Sequence, residues 1–426
     1  SYEGDFIMGK RTKILATVMA ATMLFAGSLV GCGGKADSGS TDGSGKELTV
    51  WSHLTTPEVE ELNKIASKWG EENGVKVKVV EDKSEMQAYI QAANSSKGPD
   101  IMFGLAHDNL GTFQKAGLLA EVPEGIINDS DYASHQVLDA VTIGGKRYAV
   151  PIAQETSALF YNKDKVKEVP KTMEDLVKVA KDGVGFEYDI NNFYPTYGFI
   201  AADGGYVYKD NNGTLDPTDI GLGTPGAIKG YQFVQDLVQK DKLMPADITG
   251  DIAKGDFLSK KSGFYISGPW DVSAFKDGGV NFGVAPMPTL FGKQVPTFLG
   301  VQTAFVSEKS QNKDLAWKLV KYLSENSGDV LLSKGNRIPV LNKYLDSADF
   351  KNNEYMSAFA EQAKFATPMP NIPEIQAMWG PAGANLQLLT SGQVTPEKCA
   401  EMTVEQIKQG ISPVSYTHLR AHETDS

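Results

Sequence analysis

The chain has 426 residues, 41% of them hydrophobic, which predicts roughly two to three soluble globular domains with ordinary cores. Its formal net charge of −12 argues against a nucleic-acid partner, because phosphate binding requires a clustered basic face. The sequence contains no such basic cluster. We therefore expect an acidic, soluble protein whose partner is not a nucleic acid.

The first 46 residues carry the features of a secreted, anchored protein. Three basic residues between positions 10 and 13 precede an apolar run, and we expect a signal peptide over residues 8–31. The run ends in Leu-Val-Gly-Cys32, which resembles the lipobox of bacterial lipoproteins, in which the cysteine is acylated. Residues 32–46 then form the lipid-anchored Cys and a flexible tether, and the protein stands on the outer face of the cell membrane. The alternatives are a plain transmembrane helix or a buried cysteine.

The two ends of the chain are set apart from the fold. Residues 413–426 show neither an apolar period nor a helix cap, and with residues 1–7 they are interpreted as appended fragments.

Cys399 is the other cysteine of the chain, so no intramolecular disulfide is possible once Cys32 carries lipid. We expect Cys399 to be a small buried filler.

The first elements of the body alternate between strand and helix. They are a strand at 48–51, a helix capped by Thr55, a strand at 75–79, a helix over 86–93 and a strand at 100–103. This order predicts a parallel sheet covered by helices, in which ligands lie beyond the carboxyl ends of the strands. The segments after the first and third strands are rich in hydrogen-bonding groups. Their candidate ligand residues are His53, Asp108 and Asn109.

The stretch from Tyr148 to Lys163 has two apolar, β-favouring runs with no turn between them. The chain is therefore expected to continue from one body into a second. Glu155 lies midway, and a carboxylate between apolar runs is costly to desolvate unless a partner binds it. It is a ligand candidate, or else it caps a neighbouring backbone group at the hinge.

The rest of the chain predicts a second α/β lobe followed by a mostly helical last third. The predicted elements are a helix from Thr172, a loop over 188–205, a helix over 225–239, strands at 264–266, 280–284 and 298–306, and helices over 313–324, 355–365, 373–389 and 395–410. The strand at 264–266 ends in Gly-Pro-Trp270, which places a large aromatic side chain at its carboxyl end.

Motifs for catalysis, metals and cofactors are weak or missing in the sequence. Residues 221–226 match the pattern G-x-G-x-x-G, but no convincing strand precedes them, and Thr224 with Pro225 simply starts a helix. Apart from His418 and His422 in the tail over 413–426, no two histidines have the i, i+4 spacing of a helical zinc site, and no G-x-S-x-G elbow is present. We predict no catalytic residue, no metal and no cofactor.

What remains is a group of carboxylates and aromatic residues at predicted loop positions: Asp108, Glu155, Tyr194, Tyr197, Trp270 and Trp379. This combination suits a sugar, since sugars offer C–H patches to aromatic faces and hydroxyls to charged groups. The alternative is that the two tryptophans pack in a core or between lobes.

Over residues 47–410 the chain resembles the maltose/maltodextrin-binding proteins of ATP-driven (ABC) sugar importers. The matching pieces are Gly98-Pro-Asp-Ile101, Ala106-His-Asp108, Ala149-Val-Pro-Ile-Ala153 with Glu155, Tyr161-Asn-Lys-Asp164, Ile200-Ala-Ala-Asp-Gly-Gly-Tyr206, Gly268-Pro-Trp270, and Met369-Pro-Asn-Ile-Pro373 with Trp379. Each piece alone is modest, but their shared order and similar gaps are specific to the family.

The resemblance implies an α/β fold of the two-lobed periplasmic-binding-protein type II, with parallel-sheet lobes joined by a hinge that the chain crosses three times. The implied lobes are 47–153 with 304–350, and 154–303 with 351–412. It also implies that the protein is not an enzyme. The implied contacts are sugar hydroxyls on Asp108 and Glu155, stacking on Tyr194, Trp270 and Trp379, and a groove lined by Ala106 and Met369.

The implied partners are a maltooligosaccharide and the permease subunits of an ABC transporter, and the protein itself is implied to be a monomer.

Some positions depart from the family pattern. Neutral or aliphatic residues replace its charged and aromatic groups at Thr56, Leu105, Asn109 and Asn192. Stacking should therefore dominate, and three or more glucose units should bind better than maltose. The alternatives are another oligosaccharide, a glycoside hydrolase, or a lipoprotein that only anchors or scaffolds.

Overall fold

The structure is a computed structural model that describes residues 45–412. The predicted signal peptide over residues 8–31, the acylated Cys32 with nearly all of its tether, and the tail over 413–426 lie outside these residues. Between residues 45 and 412, no helix is both long and apolar enough to cross a membrane.

Strands and helices alternate through the first half, and helices dominate the last third. The strands are β1 (Lys46–Ser52), β2 (Val75–Glu81), β3 (Ile101–Ala106), β4 (Thr142–Ile143), β5 (Lys146–Arg147), β6 (Val150–Thr156), β7 (Ala158–Asn162), β8 (Tyr208–Asp210), β9 (Leu215–Ile220), β10 (Phe264–Ser267), β11 (Phe282–Ala285), β12 (Phe298–Val306) and β13 (Thr367–Pro368). The helices are α1 (Thr56–Asn73), α2 (Met86–Ala93), α3 (Leu110–Lys115), α4 (His135–Asp139), α5 (Met173–Val179), α6 (Phe193–Ala201), α7 (Pro225–Gln239), α8 (Gly250–Leu258), α9 (Val272–Asp277), α10 (Lys313–Asn326), α11 (Gly328–Gly335), α12 (Asn342–Leu345), α13 (Ala348–Lys351), α14 (Glu354–Ala363), α15 (Trp379–Thr390) and α16 (Pro396–Ile411). Most predicted elements are thus confirmed.

The first sheet contains six strands in the order β13-β12-β3-β1-β2, with β6 paired to β12. β1 runs parallel to both β2 and β3, which confirms the prediction from the alternating strands and helices. β12 is antiparallel to β3 and to β6, so the sheet is mixed. β12, which returns late in the chain, therefore joins a sheet that the first hundred residues begin.

Helix α1 shows why the first sheet forms locally. The N–H and hydroxyl groups of Thr55 both donate to the Glu58 carboxylate, at 3.1 and 2.9 Å, and Pro57 occupies the first turn. Gly74 ends the helix in the left-handed region, with φ 66°, where a residue without Cβ is favoured. These local signals allow β2 to return beside β1.

The second sheet has the order β10-β7-β11, and both pairs are antiparallel. The expectation of two parallel-sheet lobes is thus wrong for this sheet. These short strands are buried and apolar, so their sequence carries no alternation that would indicate a direction. The chain passes from β6 to β7 through Ser157 alone, which agrees with two strands joined without a turn. The residue limits of the predicted lobes stay a prediction.

Two helices differ from the elements that the sequence predicted for their segments. The predicted loop over 188–205 contains α6, whose cap Asn192 accepts a hydrogen bond from the Tyr194 N–H at 3.1 Å. The predicted single helix over 373–389 is divided, with a 3₁₀ turn before α15. Pro195 and Pro381 each fall in a first helical turn, where the missing N–H costs little. Burial of aromatic residues outweighs the low helix propensity of the first segment.

Cys399 lies on α16 with 1% of its surface exposed, which confirms the predicted buried filler. Its thiol contacts the backbone oxygen of Asn385 at 3.5 Å. Burial raises the pKa of this thiol to about 12, so it stays protonated and unreactive at neutral pH.

Candidate ligand-binding site

Four aromatic rings from separate parts of the chain form one cluster. The ring centre of Tyr194 lies 6.2 Å from that of Trp270 and 6.0 Å from that of Phe298. Phe298 in turn lies 5.8 Å from Trp379. The structure thus brings together the three aromatic residues that were predicted to stack on sugar rings.

The cluster has a closed floor and an open edge. Phe298 is 1% exposed and stacks on Tyr197 with ring centres 3.7 Å apart, so it forms the floor. Trp270 is 50% exposed, whereas Tyr194 and Trp379 are partly buried. An exposed tryptophan beside two half-buried rings is an apolar surface that a ligand can cover. Core packing therefore does not explain Trp270.

Glu155 and Asp108 share an electrostatic environment with this cluster. Burial raises the pKa of Glu155 above its ordinary value of 4.5, Arg337 acts to lower it, and Asp108 raises it further. Burial also raises the pKa of the Tyr194 hydroxyl, with contributions from Glu155 and Asp108. The two carboxylates that were predicted to bind sugar hydroxyls, Asp108 and Glu155, thus both act on Tyr194, which was predicted to stack on a sugar ring.

Glu155 lies opposite Gly300 in the pair formed by β6 and β12. A Cβ atom at residue 300 would lie 3.0 Å from the carboxylate Oε1, so glycine leaves the room that this carboxylate needs. The Tyr194 hydroxyl is buried and has no hydrogen-bond partner among residues 45–412. The Tyr194 hydroxyl is therefore left for a ligand to bond.

His107 connects the turn that carries Asp108 to two other parts of the site. This imidazole is fully buried, its Nδ1 accepts the Val301 N–H at 3.0 Å, and its Nε2 donates to the Met369 backbone oxygen at 2.7 Å. Burial lowers the pKa of His107, while Asp108 acts in the opposite direction. The neutral ring therefore positions the Asp108 turn against β12 and β13.

The remaining predicted site residues lie near this framework or farther along the sheet edge. Ala106 pairs with Gln302 at the end of β3, and Met369 is 9% exposed. The Asn109 side chain donates to the Ala106 backbone oxygen at 3.1 Å, so its amide is engaged within its own turn. The His53 Nε2 contacts Asp82 at 2.9 Å beyond β2, and its hydrogen bonds within residues 45–412 are not with the aromatic cluster.

Sequence reasoning did not single out Phe298 and His107, which contact predicted site residues, or Arg337, whose charge acts on Glu155. The sequence indicated Phe298 only as part of a predicted strand, and His107 only as part of the Ala106-His-Asp108 motif. The one available signal was the position of Phe298, where an aromatic side chain begins a strand that returns toward the first sheet. In the part of the chain that the structure describes, no group of three or more His, Cys, Asp or Glu side chains could hold a metal ion.

Comparisons with known proteins identify what the chain is similar to. Residues 55–330 match the family described as bacterial extracellular solute-binding protein. A maltooligosaccharide ABC transporter solute-binding lipoprotein of Streptococcus pneumoniae is 33% identical, covering 94% of this chain and 97% of the relative. A galactooligosaccharide-binding protein of Bacillus subtilis is 32% identical, covering 95% and 98%.

Among solved structures, the maltose-maltodextrin binding protein of Alicyclobacillus acidocaldarius is 41% identical, with a TM-score of 0.74. The match covers 85% of this chain and 100% of that protein.

Proposed function

Because the chain belongs to the family of bacterial extracellular solute-binding proteins, we propose that it binds maltooligosaccharides and delivers them to the permease subunits of an ABC transporter. The observation that carries the choice of ligand is the exposed Trp270 beside Tyr194, with Glu155 and Asp108 in the same electrostatic environment. Aromatic faces and hydrogen-bonding carboxylates together suit a sugar.

Two expectations from the sequence are confirmed by the family and its solved members. The chain has the two-lobed type II fold of the maltose-binding proteins. It is a binding protein rather than an enzyme, because the family and the named relatives are solute-binding proteins. The hydrolase alternative therefore has no support from the relatives.

The charges of the site favour a neutral ligand. Asp108 and Glu155 contribute two carboxylates, whereas the charge of Arg337 is paired with Glu58 at 2.8 Å. An acidic sugar would meet two like charges in a partly desolvated site, which costs several kcal/mol by order of magnitude. A neutral oligosaccharide avoids this cost.

We also propose that the protein is a monomer held at the membrane by an acylated Cys32. The supporting observations are the signal-like sequence before this cysteine and a named lipoprotein among the relatives.

A thermal-shift panel tests the proposed ligand. It compares maltose, maltotriose, maltotetraose, cellobiose, isomaltose and a galactooligosaccharide, because the relatives include binders of two oligosaccharide classes. A ligand at about one hundred times its dissociation constant stabilises the folded state by about 2.7 kcal/mol. We expect maltotriose and maltotetraose to raise the melting temperature most. A shift with the galactooligosaccharide alone would replace the proposed ligand, and no shift with any sugar would reject sugar binding.

Maltotriose affinity is expected to fall as the pH is lowered from about 7 toward about 4.5. Sugar hydroxyls donate to the Glu155 carboxylate, and burial raises the pKa of this group, so that protonation begins at a higher pH than for an exposed Glu. A Glu155→Gln variant should bind more weakly at neutral pH and lose most of this dependence. Calorimetric titrations across the pH range measure both effects; a constant wild-type affinity would contradict the assignment of Glu155.

A further inference from the structure

The segment after α11 lies directly beside the strand that carries Glu155. The backbone groups of Ile338 and Gln154 exchange two hydrogen bonds, at 2.9 and 3.3 Å, and the Gln154 side chain donates to the Pro339 oxygen at 2.9 Å. Arg337 precedes this paired residue. The pairing of Ile338 with Gln154, the neighbour of Glu155, therefore fixes the position of Arg337 relative to β6.

Arg337 is held by a buried carboxylate. Its Nε donates to Glu58 Oε2 at 2.8 Å and its Nη2 donates to Glu58 Oε1 at 3.0 Å, which is a two-point contact. Glu58 is fully buried, and a Cβ atom at Gly335 would lie 2.2 Å from its Oε2, so the loop closes tightly over the pair. Nη1 makes no hydrogen bond within residues 45–412, and the Arg337 side chain is 18% exposed.

The same segment also reaches the neighbourhood of Trp270. Asn336 adopts the left-handed conformation, with φ 50°, and its Nδ2 donates to Ser273 Oγ at 3.1 Å. Ser273 lies in the first turn of α9, just after Trp270. Residues 336 and 337 therefore lie between the half-exposed Trp270 and β6, the strand that carries Glu155.

From this geometry we propose that Arg337 is a further ligand-binding residue, whose Nη1 donates to a sugar hydroxyl next to Glu155. The inference rests on the proposed sugar-binding function. Glu58 fixes two of the guanidinium nitrogens and directs the third, which is a preorganised donor. The charge of Arg337 also acts on Glu155, which supports their proximity.

A purely structural role for Arg337 is the alternative, since removing it would leave Glu58 charged, buried and unpaired. The test therefore removes both charges in Glu58→Gln/Arg337→Gln, beside the single variants Arg337→Gln and Glu58→Gln. A second pair, Glu58→Leu/Arg337→Met, replaces the ion pair by apolar groups of similar length. Maltotriose affinity and melting temperature are measured for all of them.

We expect both double variants to lose about tenfold to a hundredfold in maltotriose affinity, as for a hydrogen bond to a charged group, while they melt at a higher temperature than Arg337→Gln. Glu58→Gln, which keeps the guanidinium, should bind more tightly than any variant that lacks it. If either double variant binds like the wild type, Arg337 is structural and the sugar-binding proposal still stands. If the wild type binds no sugar of the panel, both proposals are wrong.

Discussion

Replacing Trp270 by alanine is expected to weaken maltotriose binding by about 2 to 4 kcal/mol, or about thirty- to a thousandfold in dissociation constant. The ring is half exposed and lies beside Tyr194, so a sugar ring can cover it. It also lies across Gly268, where a Cβ atom would meet the ring at 2.2 Å, and this backbone contact fixes the ring before the ligand arrives. Calorimetric titration of the variant with maltotriose measures the loss.

Two comparisons separate stacking from packing. Because Trp270 is exposed, its removal should change the free energy of unfolding by less than about 1 kcal/mol. Asn109→Ala should cost under about 1 kcal/mol of binding, since its amide already bonds to Ala106. Trp379→Ala should also reduce affinity, with some loss of stability because the ring is partly buried. If both tryptophan variants bind like the wild type, the aromatic cluster is a packing feature.

Replacing His107 by alanine is expected to reduce the free energy of unfolding by about 3 to 5 kcal/mol. The change removes a fully buried ring and leaves the Val301 N–H and the Met369 oxygen without their partners. Sugar affinity should fall too, because the Asp108 turn loses its connection to β12 and β13. Urea denaturation and maltotriose titration measure the two losses.

The control is His53→Ala, which removes an exposed histidine paired with Asp82 and should cost less than about 1 kcal/mol. A pH signature identifies the buried ring. The folded state holds His107 with a pKa below the ordinary 6.5, so below about pH 6.5 the unfolded state binds more protons and stability falls as the pH is lowered. This part of the slope should vanish in His107→Ala and persist in His53→Ala. Equal slopes in all three proteins would refute the role of His107.

Elements that depend on nearby residues were predictable from the sequence. The start of α1 depends on Thr55, Pro57 and Glu58, which are adjacent, and the parallel pairing of β1 to β3 follows from the alternation of strand and helix. The direction of β7, β10 and β11 was not predictable, because wholly buried strands show no alternation.

The site residues divide in the same way, because nearby sequence indicates some of them and distant contacts position the others. Trp270 and Glu155 stand out locally, because one follows a strand end and the other interrupts two apolar runs. Phe298 and Arg337 do not, since their roles depend on distant contacts. Arg337 is positioned by Glu58, which lies 279 residues earlier in the chain. No pattern within a single element indicates such a pair.

The pairing of β12 also determines the order in which the protein can fold. Leu105 and Thr303 are bonded across 198 residues, so β3 and β6 lack the strand that joins them until nearly three quarters of the chain has been synthesised. Such distant pairing makes folding slow, because loop closure must precede the contacts that reward it. A chain that ends before Phe298 would leave β3 and β6 with unpaired edges, which favour aggregation. The late return of one strand is therefore expected to delay formation of the first sheet until most of the chain is present.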